Sequence, residues 1–166
     1  MKIKTLIVTI LVLAALSVGA YLARRPGPPP STDARIDKPM VDPSVIEKAA
    51  KLRLSDAGKT VELTRQSDGT WRVPSYYDMT ADFSKLSGFV GNLTDAKLQR
   101  LVTSNSGRIA RLEFKDTKVE LLDASDKVLF TVTLGKNAET GGGRFVRFGD
   151  EQKAYLANFS AWLDTE

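Results

Sequence analysis

Between Lys4 and Arg24 the chain carries no charged residue, and the run from Thr5 to Leu22 is apolar at nearly every position. As a helix these residues would be about 27 Å long, close to the hydrocarbon thickness of a bilayer. A small domain could not cover such a helix on all sides, so it is expected to cross a membrane. Tyr21 would lie at the interface and Arg24 and Arg25 in the headgroups. Val18, Gly19 and Ala20 also allow the segment to be read as a signal peptide cut after Ala20. Length favours an uncleaved signal anchor over about residues 5–22, because the apolar run continues to the double arginine. Cysteine is absent, which excludes a lipoprotein anchor. A short basic head before a first hydrophobic helix stays in the cytoplasm. The expected localisation is therefore the cytoplasmic (inner) membrane, single-pass, with the C-terminal domain outside, in the periplasm.

Three regions follow from this reading. Residues 1–25 form the membrane anchor, 26–43 a proline-rich spacer, and 44–166 a single α+β domain. Pro26, Pro28, Pro29 and Pro30 favour polyproline II and forbid continuation of the helix. The net charge of +4 comes from Lys2, Lys4, Arg24 and Arg25; residues 26–166 hold 20 Lys and Arg against 20 Asp and Glu. The basic balance belongs to the membrane flanks, so no nucleic-acid partner is expected. Histidine is absent too. Serine–histidine triads, HExxH zinc sites and Cys/His zinc clusters are excluded, leaving carboxylate, lysine or tyrosine chemistry. No catalytic, cofactor-binding or metal-binding residue is assigned, and the chain is read as a non-enzyme.

Within the domain the period is mostly two. Residues 51–55, 60–65 and 71–73 read as an antiparallel meander, with turns at 56–58 and 67–69 and a stop at Pro74. Pro43 to Ala49 reads as a helical turn. Residues 80–94 switch to the helical period, with Phe83, Leu86, Phe89, Val90 and Leu93 in one stripe, Thr80 or Asp82 as cap, and Gly88 and Gly91 expected to allow close approach to the sheet. A strand follows at 97–102. Residues 106–112 read as a short helix behind the capping cluster 103–106, or alternatively 109–114 as a strand. Then come strands 118–122 and 128–134, a glycine-rich turn 135–143, strands 144–148 and 153–156, and a helix from Phe159 to Asp164 capped by Asn158. Leu63, Trp71, Phe89, Leu121, Phe130 and Phe145 are the expected core. The strands at 52, 61 and 71 resemble those at 112, 119 and 128 in order and spacing, which leaves open two related meander halves.

Candidate site residues each have a plain alternative. Gly141, Gly142 and Gly143 near Lys136 lack phosphate-loop spacing and read as a hairpin loop. Arg144 and Arg147 are expected to share the strand face opposite Phe145. Glu113, Asp116, Glu120, Asp123 and Asp126 read as strand-face and turn carboxylates. Trp71 is placed in the core, while Tyr76 and Tyr77 fit either ligand stacking or a loop anchor.

The pieces Gly69–Val73, Ala81–Asp82, Leu101–Asn105, Leu122–Ala124, Lys127–Leu129, Leu134–Lys136, Gly142–Arg147 and Ala154–Leu156, in this order, resemble the bacterial domain-of-unknown-function family numbered 4340. Members commonly carry proline where this chain has Ser106. The resemblance implies one N-terminal membrane segment before an exported α+β domain, with no known catalytic residues. Some members are encoded beside transporter components of the gliding-motility type, which implies an accessory role. The expected function is a membrane-tethered, envelope-facing binding or accessory domain, its partners the lipid bilayer and another membrane protein. The rival readings are a carboxylate-dependent enzyme acting on cell-envelope material and a purely structural spacer.

Overall fold

A computed structural model describes residues 33–139 and 142–160. The elements are α1 (Pro43–Lys48), β1 (Lys51–Asp56), β2 (Lys59–Arg65), β3 (Trp71–Val73), β4 (Met79–Thr80), α2 (Phe83–Asp95), β5 (Leu98–Thr103) and α3 (Ser106–Ile109). A 3-10 turn (Ala110–Leu112) follows, then β6 (Lys118–Leu122), β7 (Val128–Asn137), β8 (Arg144–Phe148) and β9 (Ala154–Ala157). This is the expected mainly antiparallel β domain with a few helices. The anchor at 5–22, the prolines at 26–30 and most of the helix expected at 159–164 lie outside the described residues. Among the described residues, no helix is long and apolar enough to cross a membrane.

All nine strands join one sheet in the order β4-β3-β2-β1-β6-β7-β8-β9-β5, and every pairing is antiparallel. Two four-stranded meanders run outward from the central β1–β6 pair, where Leu52 faces Leu121 and Leu54 faces Val119. The first closes with α2, whose chain then crosses to place β5 beside β9 at the far edge. The anticipated match of residues 112–114 with β1 fails: Leu112 ends the 3-10 turn and Glu113 is left-handed at φ 56°, so β6 occupies the place opposite β1. Residues 106–112 take the helical alternative because Asn105 Oδ1 accepts from the Arg108 N–H and opens the turn.

Alternation in the strands sets two faces. Leu52, Leu54, Leu63, Val119, Leu121, Val132, Leu134, Val146 and Tyr155 form one apolar face, and Leu86, Phe89 and Leu93 of α2 join them in one core. Asp82 caps α2, its Oδ1 accepting from the Ser84 and Lys85 N–H groups. Phe89 meets Phe159 edge-on at 6.2 Å. A Cβ at Gly88 or Gly91 would meet nothing within 4 Å, so these glycines do not serve close approach to the sheet. Gly135 does: it lies inside β7 rather than in the expected turn, and a Cβ there would sit 2.5 Å from the Leu112 carbonyl oxygen. Trp71 and Phe130 are half-buried against the core. Phe145 is not on the core face. Val146 takes the core position opposite Tyr155, which turns Phe145 to the second face opposite Leu156.

The folded unit starts before residue 44. Met40 and Val41 are buried, the Met40 N–H donates to Ala96 O, and Asp37 and Lys38 exchange backbone bonds with Leu98. The far end of this segment is clamped by charge. Asp33 accepts from the Tyr155 hydroxyl at 2.8 Å and from Lys153 at 2.9 Å, while Arg35 forks onto Glu151 at 2.8 and 3.1 Å. The Arg35 guanidinium also covers the Phe148 ring at 5.6 Å. Asp33 and Arg35, inside the expected spacer, are the charges that fasten the segment to β9 and its preceding turn.

Lys153, then Tyr155 and the Arg35 N–H, hold the Asp33 carboxyl down at about 2, against an ordinary 3.8. A depressed carboxylate stabilises the fold fully above its ordinary value and stops doing so as pH falls through its folded value. Asp33→Asn is therefore expected to be less stable than wild type at neutral pH, with the difference shrinking between pH 3.8 and about 2. Urea titrations at several pH values check this; a difference unchanged across that window would contradict it.

Candidate functional site

A concavity lies between α2 and the first meander. Leu54 of β1, Val61 of β2, Val73 of β3, Met79 of β4, and Leu86 and Phe89 of α2 line a groove of about 310 Å³. Each strand contributes the side chain that alternation turns toward the helix, and β3 and β4 are too short to extend the sheet fully beneath it. Asp82 is the carboxylate on its rim, and its Oδ1 is already engaged in capping α2.

The β3–β4 hairpin carries the mouth of this groove. Met79 N–H donates to Tyr76 O at 3.0 Å, closing a four-residue turn whose two central residues, Tyr77 and Asp78, have φ of 52° and 55°. That geometry is a type I′ turn, which normally takes Asn-Gly because both central residues are left-handed. A tyrosine in this conformation is strained by roughly 1–2 kcal/mol. Arg72 Nη1 donates to Asp78 Oδ2 at 3.0 Å across the hairpin. Tyr77 is 97% exposed in this turn, next to Tyr76 at 56% and close to Met79 at 61%; Phe83, at 79%, opens α2. Among the described residues only Val128 is another large apolar side chain so exposed, which makes this cluster a local feature rather than a general property of the surface.

Phe83 was expected in the buried stripe of α2; in the first helical turn it is largely exposed and lines a separate concavity with Trp71 and Ile46. Tyr76 and Tyr77 resolve as exposed turn residues. Trp71 stays at the edge of the core. Sequence spacing suggested neither the hairpin at 76–79 nor the exposure of Met79, because a type I′ turn without asparagine or glycine gives no turn signal.

A model of the family described as a domain of unknown function (DUF4340) matches residues 71–166, more than half of the chain. The chain belongs to this family. No curated protein and no solved structure matches it. The DUF4340 match opens at β3, yet β3 reaches β6 only through β2 and β1, so the structural unit extends upstream of the matched residues.

The other candidate residues of this DUF4340 chain lie away from the groove. Gly142 and Gly143 have φ of 69° and 101° and lead directly into β8 rather than a helix, which fits a hairpin loop; Gly141 lies outside the described residues. Lys136 lies 3.9 Å from Glu139. Arg144 and Arg147 are three apart on one strand and so cannot share a face. Arg144 Nε donates to Gly135 O, whereas Arg147 lies over the Phe114 ring at 5.5 Å. Asp123 Oδ1 accepts from the Ser125 hydroxyl and from the Ser125 and Lys127 N–H groups, and these bonds, the Ser125 hydroxyl first, lower its pKa. Asp126 pairs with Lys51 at 2.6 Å. Glu120 sits between Lys118 at 2.8 Å and Arg53 at 3.6 Å. Glu113 and Asp116 are exposed on the segment before β6. Among the described residues no three Asp or Glu side chains come together in a way suited to a metal.

Proposed function

We propose that this DUF4340 chain is a membrane-tethered, envelope-facing docking domain, an accessory subunit that holds an apolar segment of another membrane protein in the groove between α2 and the first meander. The observation that carries the reading is Tyr76 and Met79, exposed apolar side chains that line the apolar groove, with Tyr77 exposed between them in the chain at the turn. Such residues cost solubility in a free monomer and are suited to burial against a partner. The apolar run at 5–22 serves as a single-pass anchor from the inner membrane, with the domain on the periplasmic side. A tether confines both partners to one surface, so a weak interface is occupied through raised effective concentration. The partner fits a subunit of a transporter-type complex.

The experiment is to replace residues 1–31 with a cleaved export signal, so that the domain is released into the periplasm. Co-purification of the partner with the domain is expected to fall sharply, while the purified domain gives the same cooperative unfolding curve as the full chain. Unchanged co-purification from the released domain would remove the tether from the account.

A further inference from the structure

We propose that the sheet face opposite α2 holds a binding site for a phosphate-like oxyanion. The site follows from strand register. Thr60 pairs with Ser55, Ser55 with Lys118, Lys118 with Thr133, and Thr133 with Arg147, so five polar side chains from β2, β1, β6, β7 and β8 form one cross-strand row. The neighbouring row is charge-balanced, Arg53 lying between Glu62 and Glu120. In the row with Lys118 and Arg147, Lys118 pairs with Glu120 at 2.8 Å, and the row itself supplies hydroxyls rather than carboxylates.

Loops close the row into a concavity of about 370 Å³. The β1–β2 turn brings Lys59 to one wall, and the segment before β6 brings Lys115 and Asp116 to another. Four cationic side chains and one carboxylate, Asp116, thus line the space. Arg147 is the fixed element. Its guanidinium stacks on Phe114, its Nε is buried, and that N–H has no hydrogen-bond partner among the described residues. The planar guanidinium fork matches phosphate geometry better than an ammonium does. Hydroxyls of Ser55, Thr60 and Thr133 add neutral donors, and lysines at the rim attract without fixing orientation. The ligand class is a phosphate mono- or diester group, whether it belongs to a lipid headgroup or to a soluble phosphorylated molecule.

The test uses the full chain in maltoside micelles, titrated calorimetrically with inorganic phosphate in one arm and with phosphatidylglycerol-doped micelles in the other. Saturable binding is expected in at least one arm, and which arm saturates identifies the source. Arg147→Gln is expected to weaken binding by about tenfold or more. Lys118→Gln should weaken it severalfold and serves if Arg147→Gln fails to fold; Lys136→Gln, outside the concavity, should leave it unchanged. No saturable heat in either arm up to about 10 mM ligand, an affinity too weak to matter, would overturn the site. So would binding that Arg147→Gln and Lys118→Gln both leave intact.

Discussion

Replacing Phe89 by alanine is expected to lower the unfolding free energy by about 3–5 kcal/mol. Phe89 is 9% exposed and sits where α2, the floor of the groove and Phe159 converge. Removing the ring deletes its transfer free energy and leaves a hole that β1 and β2 cannot close, because their backbones are fixed by pairing on both sides. A domain of this size has only about 5–15 kcal/mol of net stability, so the variant should unfold at much lower urea. Equilibrium urea unfolding followed by tryptophan fluorescence checks this. A loss below about 1 kcal/mol would mean that α2 packs with a different face toward the sheet.

The second large effect concerns binding rather than folding. Tyr77→Asn combined with Tyr76→Ser and Met79→Ser is expected to weaken partner binding about 100-fold, since buried aromatic anchors each contribute roughly 2 kcal/mol or more at an interface. The fold should not suffer. All three side chains are largely exposed, and asparagine accepts the left-handed φ that strains Tyr77. The thermal midpoint should therefore stay level or rise. Falling stability alongside lost binding would indicate that the patch is part of the core and not an interface.

Much of the fold was legible because its signals are local. Alternation marked β1, β2, β6 and β7, and the helical period with Asp82 as cap marked α2. Turn chemistry at Asp68–Gly69 and at Asp123 placed the hairpins. What escaped depended on tertiary partners. Residues 33–41 look like spacer until Lys153, Glu151 and the β5 edge are beside them. Phe145 and Val146 are both apolar, so alternation alone could not say which one faces Tyr155. Gly135 reads as a turn residue, and only the approach of Leu112 and Phe114 explains it inside a strand. For the groove, the sequence offered Tyr76 and Tyr77 as open cases. Their exposure is set by a strained turn with no sequence signature. The row from Thr60 to Arg147 spans five strands and is invisible without the register.

A groove that docks a membrane partner should bring that partner within reach of the Tyr77 turn. The most direct measurement places a photo-crosslinking residue at position 77, and separately at the exposed turn residue Ser125, in the full chain in intact cells. One discrete adduct with a membrane protein is expected from position 77 and none from position 125, and the adduct should be lost when Tyr76→Ser and Met79→Ser are added. Equal adducts from both positions, or an adduct at 77 that survives those substitutions, would contradict docking in the groove.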